Sequence, residues 1–253
     1  VTLLQRFNAG GGTLYDLEYL VDGSGRRVAA FGYWAGYAGA AATLKAWAAQ
    51  QRQSICGPVG VFASKDALLD SLGAELDTLG DDRPSAIVIG AMGRVGTGAA
   101  DLLETMGVTV TKWDMAETAS GGPFPEILAH DIFMNCIFAR PGTPVFVPQS
   151  AKSATRQLTA IGDVACDPDS DYNPVPVYDR ATTWESPVVR VHDTPPLDVM
   201  AIDNLPSMLP VESSEDYADQ LLPTLCDLTN LEAGVWRRAA AEFATHSSAI
   251  KPT

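Results

Sequence analysis

The segment Ser85-Ala-Ile-Val-Ile-Gly-Ala-Met-Gly-Arg-Val-Gly-Thr-Gly-Ala-Ala100, followed by Val108-Thr-Val-Thr-Lys-Trp-Asp114, constrains this chain more than any other. It reads as a buried strand, a glycine-rich bend, a helix and a second strand ending in an acid. Ala86 to Ile89 is apolar and largely β-branched, as in a parallel strand covered on both faces. Gly90, Gly93, Gly96 and Gly98 allow close backbone approach. In the frame G-x-G-x-x-G, Ala91 holds the first position, with Gly90 just before it, while Gly93 and Gly96 fill the other two. The following helix aims its free N–H groups and roughly half a positive charge at the bend, which suits a pyrophosphate. Asp114 lies where an acid that grips an adenosine ribose is expected.

The pattern points to NAD rather than NADP. The Asp114 carboxylate can accept from ribose hydroxyls, a charge-assisted bond of ~1.5–3 kcal/mol. It would repel a 2′-phosphate, and neither Met115 nor Ala116 supplies a cation to rescue one. The candidate cofactor contacts are Gly90, Met92, Gly93, Arg94, Gly96 and Asp114. Arg94 either reaches the pyrophosphate or lies on the helix surface.

Composition narrows the partners. A net charge of −14 over 253 residues disfavours nucleic acid and anionic membranes, whose phosphates would be repelled. The partner expected is a small molecule. Cys56, Cys136, Cys166 and Cys226 have neither metal nor redox spacing and read as reduced thiols of a cytoplasmic protein. There is no zinc spacing. Asp167, Asp169, Asp171 and Asn173 suggest a calcium loop, but Tyr172 stands where glycine is needed and Tyr178 where glutamate is needed. No apolar run reaches membrane-spanning length, and no signal peptide is visible. The chain begins at Val1 rather than Met, which reads as a truncated or processed product.

Strand and helix signals alternate along the chain. Thr13 to Leu20 alternates as a strand, Asp22-Gly-Ser-Gly25 reads as a hairpin turn, and Arg27 to Phe31 as the return strand. Ala35 to Gln53 is a helix of small residues that should pack backbone-close to a neighbour. Ser64 opens a further helix, Lys65 to Leu79. Asp131 to Ile137 and Leu158 to Val164 are buried strands, and Val188 to Val191 and Leu197 to Ile202 are two late ones. Ser213 with Asp216, and Thr229 with Glu232, look like helix starts, and the last helix runs from Leu231 to Thr245. The order implies an α/β fold: a doubly wound, Rossmann-like parallel sheet with part of a second α/β domain.

Several motifs resemble the NAD-dependent, lysine-forming saccharopine dehydrogenases. They are Gly12 to Leu20, Gly25 to Gly32, Lys112-Trp-Asp114, Gly121-Gly-Pro-Phe124 and Ala201-Ile-Asp-Asn-Leu-Pro-Ser-Met-Leu-Pro210. The wider similarity is to alanine dehydrogenase and the transhydrogenase nucleotide-binding unit. The resemblance implies two α/β domains with a cleft between them. Residues 1–31 would form the edge of a substrate domain. Residues 32–209 would form the NAD-binding domain, and 210–253 a helical segment returning to the substrate domain. It implies oxidation of saccharopine to an imine, then hydrolysis to lysine and 2-oxoglutarate, a step of lysine metabolism. The family's catalytic lysine and histidine lie upstream of the matched region. Lys45, Lys65, Lys112, Lys152 and Lys251 have no matching context, and nor do His130, His192 and His246.

The resemblance also assigns residues. Arg27 corresponds to an arginine that holds a substrate carboxylate, a role suited to a guanidinium fork. Glu18 matches an acid near the active site that acts on neighbouring cations. Phe31 matches a cleft-lining aromatic, with core packing as the alternative. Asp203 follows a late strand, where ligand crevices of open α/β sheets lie; the resemblance gives it an active-site role in place of a helix cap. The nicotinamide is expected across the strand ends near Cys136 to Arg140 and Asp163 to Asp167. Two alternatives stay open: an NAD-binding fragment or module without catalysis of its own, and a related amino-acid dehydrogenase such as one acting on alanine.

Overall fold

The glycine bend emerges from the interior of a six-stranded sheet in the computed structural model, which describes residues 3–250. The strands are β1 (Ser85–Ile89), β2 (Thr109–Trp113), β3 (Ile132–Asn135), β4 (Ala160–Asp163), β5 (Val189–Asp193) and β6 (Pro196–Met200). Their spatial order is β2-β1-β3-β4-β6-β5. All run parallel except β5, which pairs antiparallel with β6 at one edge. The chain returns to the middle after β2, so strand order reverses between β1 and β3. That is the topological switch point, where ligands bind in open α/β sheets.

Side chains alternate across the sheet with period two. Ala86, Val88, Ile132, Met134 and Ala160 enter one core, while Ile87, Ile89, Phe133 and Ile161 enter the other. Both faces are therefore buried, which explains the apolar runs in β1 and β3. One face carries helices α2 (Gly32–Gln51), α3 (Lys65–Asp77) and α4 (Arg94–Thr105). The other is covered by α6 (Pro125–Leu128) and irregular chain that supplies Phe146, Val147, Val175 and Val177, while the short α5 (Met115–Thr118) follows β2 with no buried residue. The Rossmann-like parallel sheet expected from sequence is present, with one of its two layers built from loops and short helices.

The small residues of α2 serve close packing. A Cβ added at Gly36 would lie 1.8 Å from the Val95 carbonyl oxygen, and one at Gly98 of α4 would lie 1.9 Å from that of Tyr33. These two helices touch through backbone. Thr43, fully buried in α2, donates its hydroxyl to the Gly39 carbonyl at 2.8 Å, so its burial leaves no unpaired donor.

The chain divides into two compact units, one of residues 32–213 holding the sheet, the other of residues up to 31 together with those from 214. The second contains α1 (Leu3–Gly10), most of α7 (Pro210–Cys226) and α8 (Gly234–Ser248). Its core is Leu20, Ala29, Leu221, Trp236 and Ala239. Here the expected hairpin keeps its turn, with the Gly25 N–H donating to the Asp22 carbonyl at 3.1 Å and the Asp22 N–H to the Arg26 carbonyl at 2.9 Å, but its flanking strands are not formed. The stretch Thr13 to Leu20 contains a 3-10 turn, Leu17–Tyr19, whose first N–H groups are met by Asp16: its carboxylate accepts from the Glu18 N–H at 2.9 Å. Asp22 accepts from the N–H groups of Ser24 and Arg26 at 2.8 and 3.1 Å, leaving a single bridge, Val21 to Arg27, of the return strand. Local side-chain acceptors satisfy backbone that a strand partner would otherwise hold.

Two expected helix starts also move. Ser213 lies inside α7, where its hydroxyl donates to the Pro206 carbonyl. Thr229 and Glu232 lie before α8, which starts after Ala233 with no side-chain cap.

Candidate functional site

The carboxyl ends of β1, β2 and β3 converge on one cleft. At Gly90 the chain turns with φ +87°, a conformation that favours glycine, and a Cβ there would meet the Cys136 carbonyl oxygen at 2.8 Å. The N–H groups of Gly90 and Ala91 both donate to the Trp113 carbonyl at 3.0 Å, which ties the bend to the end of β2. Gly93 caps α4 without a side chain, so no side-chain group from the cap covers the helix's first turn. Gly96 packs beneath the bend: a Cβ there would stand 2.1 Å from the Gly90 carbonyl oxygen. The bend is thus pressed onto the helix tip, and bulk at either position would separate them.

Asp114 closes the other side. Its Oδ2 accepts from the Met92 N–H at 3.0 Å and its Oδ1 from the Met115 N–H at 2.9 Å. Its own N–H donates to Glu117 at 2.8 Å, completing a capping box on α5. The acid at the end of β2 therefore grips the glycine bend directly. A carboxylate offers about four lone-pair sites, so two backbone donors leave acceptor capacity for a ligand.

The cleft between them has a volume of about 660 Å³ and is lined by Gly90, Met92, Gly93, Asp114, Phe138 and Arg140, among others. That is the size range of a small-molecule or cofactor site. Met92, Met115 and Phe138 border it with 70%, 82% and 79% of their surfaces exposed. Large apolar side chains so exposed around a concavity suit flat ring systems.

Arg94 begins α4, half-buried, and its Cβ lies close to Gly32. It is not among the residues lining the cleft. The arginine that lines it is Arg140, exposed and in no ion pair among the described residues. Sequence reading named Arg140 only as the end of a segment; a lone cation just past a buried strand was the available signal.

A second, smaller cavity of about 170 Å³ lies at the ends of β3 and β4 and shares Phe138 with the first. Asn135 and Asp163 are buried in its wall, and the Asn135 side-chain N–H donates to Asp163 Oδ1 at 2.9 Å. The Tyr178 hydroxyl donates to Asp163 Oδ2 at 2.8 Å. Burial pushes the Asp163 carboxyl above the ordinary carboxylate range, against the pull of these donors. Burial and then the charge of Asp163 raise the Cys136 thiol, and burial pushes Cys166 up to about 11. Asn135 and Tyr178 were not singled out for the site in the sequence, although a polar residue ending an apolar strand marks Asn135.

The other candidates fall elsewhere. Asp203 is exposed in a turn after β6, near enough to Cys166 for its charge to help raise that thiol. In the smaller unit, Glu18 and Arg27 form an exposed ion pair. Phe31 is 42% exposed and stacks on Tyr217 with ring centroids 4.4 Å apart, so it is not a core residue. The acidic loop is a turn in which Asn173 is half of a staple: its Oδ1 accepts from the Val175 N–H at 2.7 Å. Among the described residues no cluster of histidine, cysteine and acidic side chains could hold a metal. No described helix is long and apolar enough to cross a membrane.

The chain is 45% identical to saccharopine dehydrogenase (NAD+, L-lysine-forming) of Yarrowia lipolytica, over 96% of this chain and 70% of that protein. The Neurospora crassa enzyme of the same name is 46% identical over 95% of this chain and 68% of its own length, and that of Candida albicans 41% over 96% and 70%. Among solved structures an L-alanine dehydrogenase superposes with a TM-score of 0.56 at 17% identity, covering 96% of this chain and 71% of that one, a likeness of fold. No protein-family model matches the chain.

Proposed function

The chain belongs to the NAD-dependent, lysine-forming saccharopine dehydrogenase family, and from that premise we propose that it binds NAD in the cleft at the β1/β3 switch point and serves the oxidation of saccharopine to lysine and 2-oxoglutarate. The observation that carries this reading is the Asp114 carboxylate held against the Met92 N–H at the mouth of the cleft. A carboxylate fixed there meets ribose hydroxyls and repels a ribose phosphate.

The residues present fit the cofactor. Gly90, Gly93 and Gly96 keep side chains out of the space beside the helix tip, where a diphosphate is favoured by the dipole and first-turn N–H groups. Arg140 adds a cation at the cleft wall. Met92 and Arg94 flank the bend, the first through its backbone N–H and exposed side chain. When bound, NAD supplies the hydride acceptor. The chain's part is to hold the ring end across the termini of β3 and β4, and such positioning can account for ~7–11 kcal/mol of a barrier.

Arg27 is assigned to a substrate carboxylate, with Glu18 setting the charge balance of that guanidinium and Phe31 contributing an apolar wall. Asp203, in the turn after β6, is assigned an active-site role in catalysis. A cytoplasmic setting and small-molecule partners complete the reading; the charge of −14 supports the exclusion of nucleic acid and anionic membrane.

The test is titration with NAD followed by Trp113 fluorescence, together with NADH production from saccharopine. Trp113 ends β2 next to Asp114 and should be quenched. Quenching with turnover supports the reading. Quenching without NADH supports a binding module, turnover with alanine but not saccharopine supports the smaller-substrate enzyme, and no quenching overturns the site.

A further inference from the structure

The six methionines of this chain divide sharply by burial. Met134, Met200 and Met208 are fully buried, and Met106 is half-buried against the core. Met92 and Met115 are instead 70% and 82% exposed, and both line the nucleotide cleft. They are also a pair. Asp114 accepts from the Met92 N–H through Oδ2 and from the Met115 N–H through Oδ1, so one carboxylate fixes both backbones. Neither side chain belongs to a hydrophobic cluster of the described residues, so packing does not account for two large apolar groups there.

Position and exposure together set their chemistry. A thioether is soft and apolar, and it makes favourable contacts with aromatic rings. It is also open to oxidation by a hydroperoxide. The sulfur attacks one peroxide oxygen, an S–O bond forms as the O–O bond breaks, and two electrons pass from sulfur to the peroxide. The hydroxide that leaves takes up the remaining peroxide proton and departs as water. The product, methionine sulfoxide, is polar and chiral. We propose that Met92 and Met115 are a paired oxidation site at which a hydroperoxide weakens binding of the adenosine half of the dinucleotide. This rests on the reading that the cleft takes NAD. A ribose held by Asp114 brings its base to the two residues bonded to that same carboxylate. Reduced thioethers cover the flat face of that base, whereas sulfoxides place dipoles against it that are better solvated by water. The coupling is reciprocal: a bound dinucleotide shields both sulfurs, so the cofactor-free chain is the form that is oxidised.

The experiment treats this 253-residue chain with hydrogen peroxide, then with dithiothreitol to return reversibly oxidised Cys226 to its thiol. Peptide mass spectrometry follows each methionine, and calorimetry follows affinity for ADP-ribose. Met92 and Met115 should be oxidised before the other methionines, and saturating ADP-ribose should slow both. Affinity should fall about tenfold once both are sulfoxides, and methionine sulfoxide reductases should restore it. The double variant Met92→Leu/Met115→Leu, whatever its starting affinity, should bind equally well before and after peroxide. Undiminished affinity with both sulfurs oxidised, earlier oxidation of a buried methionine, or an equal loss in the double variant would overturn the proposal, while binding by the untreated parent keeps the cleft reading intact. Failure of the untreated parent to bind ADP-ribose would remove the cleft reading and the proposal with it.

Discussion

At the scale of single residues, Asp114 does three things at once: it anchors the bend, caps α5 and presents an acceptor to the cleft. Replacing it by alanine removes a charge-assisted contact to ribose and should cost ~1.5–3 kcal/mol of NAD binding, roughly ten- to hundredfold in affinity. NADP should lose far less, because the repulsive charge goes too. Calorimetry on Asp114→Ala checks both, and undiminished NAD affinity would contradict the assignment. The thiols give a second residue-scale test. Burial pushes Cys56 and Cys166 up to about 11 and Cys136 higher still, so their reactive thiolates are scarce near neutrality. Cys226 is exposed. Mass spectrometry after brief iodoacetamide treatment at neutral pH should find Cys226 alkylated first; early labelling of Cys166 would mean that its surroundings are misjudged.

At the scale of elements, the bend is held by the contact of α2 with α4. The atoms facing Gly36 and Gly98 are backbone carbonyls at 1.8 and 1.9 Å from an added Cβ, and backbone cannot swing aside as a side chain can. Gly36→Ala should therefore destabilise the chain by about 1–3 kcal/mol, a fall of roughly 2–12 °C in melting temperature for a chain of this size. An unchanged melting curve would show that the helices part without cost. This contact also shows what was legible in sequence. Gly36, Gly39 and the alanines of α2 announced close packing, and the apolar runs of β1 and β3 announced a sheet buried on both faces. The turn of the hairpin between Thr13 and Phe31 was legible, but the shrinking of its strands to a single bridge was not, because Asp16 and Asp22 look like ordinary turn residues until their carboxylates are seen collecting backbone N–H groups. The cleft was legible through its glycines and Asp114, which act locally. Tyr178 reaches the Asp163 carboxylate beside the cleft only through the folding of a distant loop, and no spacing in the sequence encodes that.

At the scale of the whole molecule, a ligand that binds only the folded chain must stabilise it by mass action. NAD at about a hundred times its dissociation constant should add ~2.7 kcal/mol and raise the melting temperature measurably, whereas Asp114→Ala at the same concentration should gain less. A parent melting temperature indifferent to NAD would contradict cofactor binding whatever the sequence kinship. The net charge of −14 works at this scale too, repelling polyanions while Arg140 provides a local positive site for one small diphosphate.

The most direct test of the central claim is a crystal structure of this chain with NAD bound. The expected result places the diphosphate over Gly93 at the tip of α4 and the adenosine ribose hydroxyls within hydrogen-bond distance of Asp114. A dinucleotide bound elsewhere, or a ribose that leaves Asp114 untouched, would contradict it.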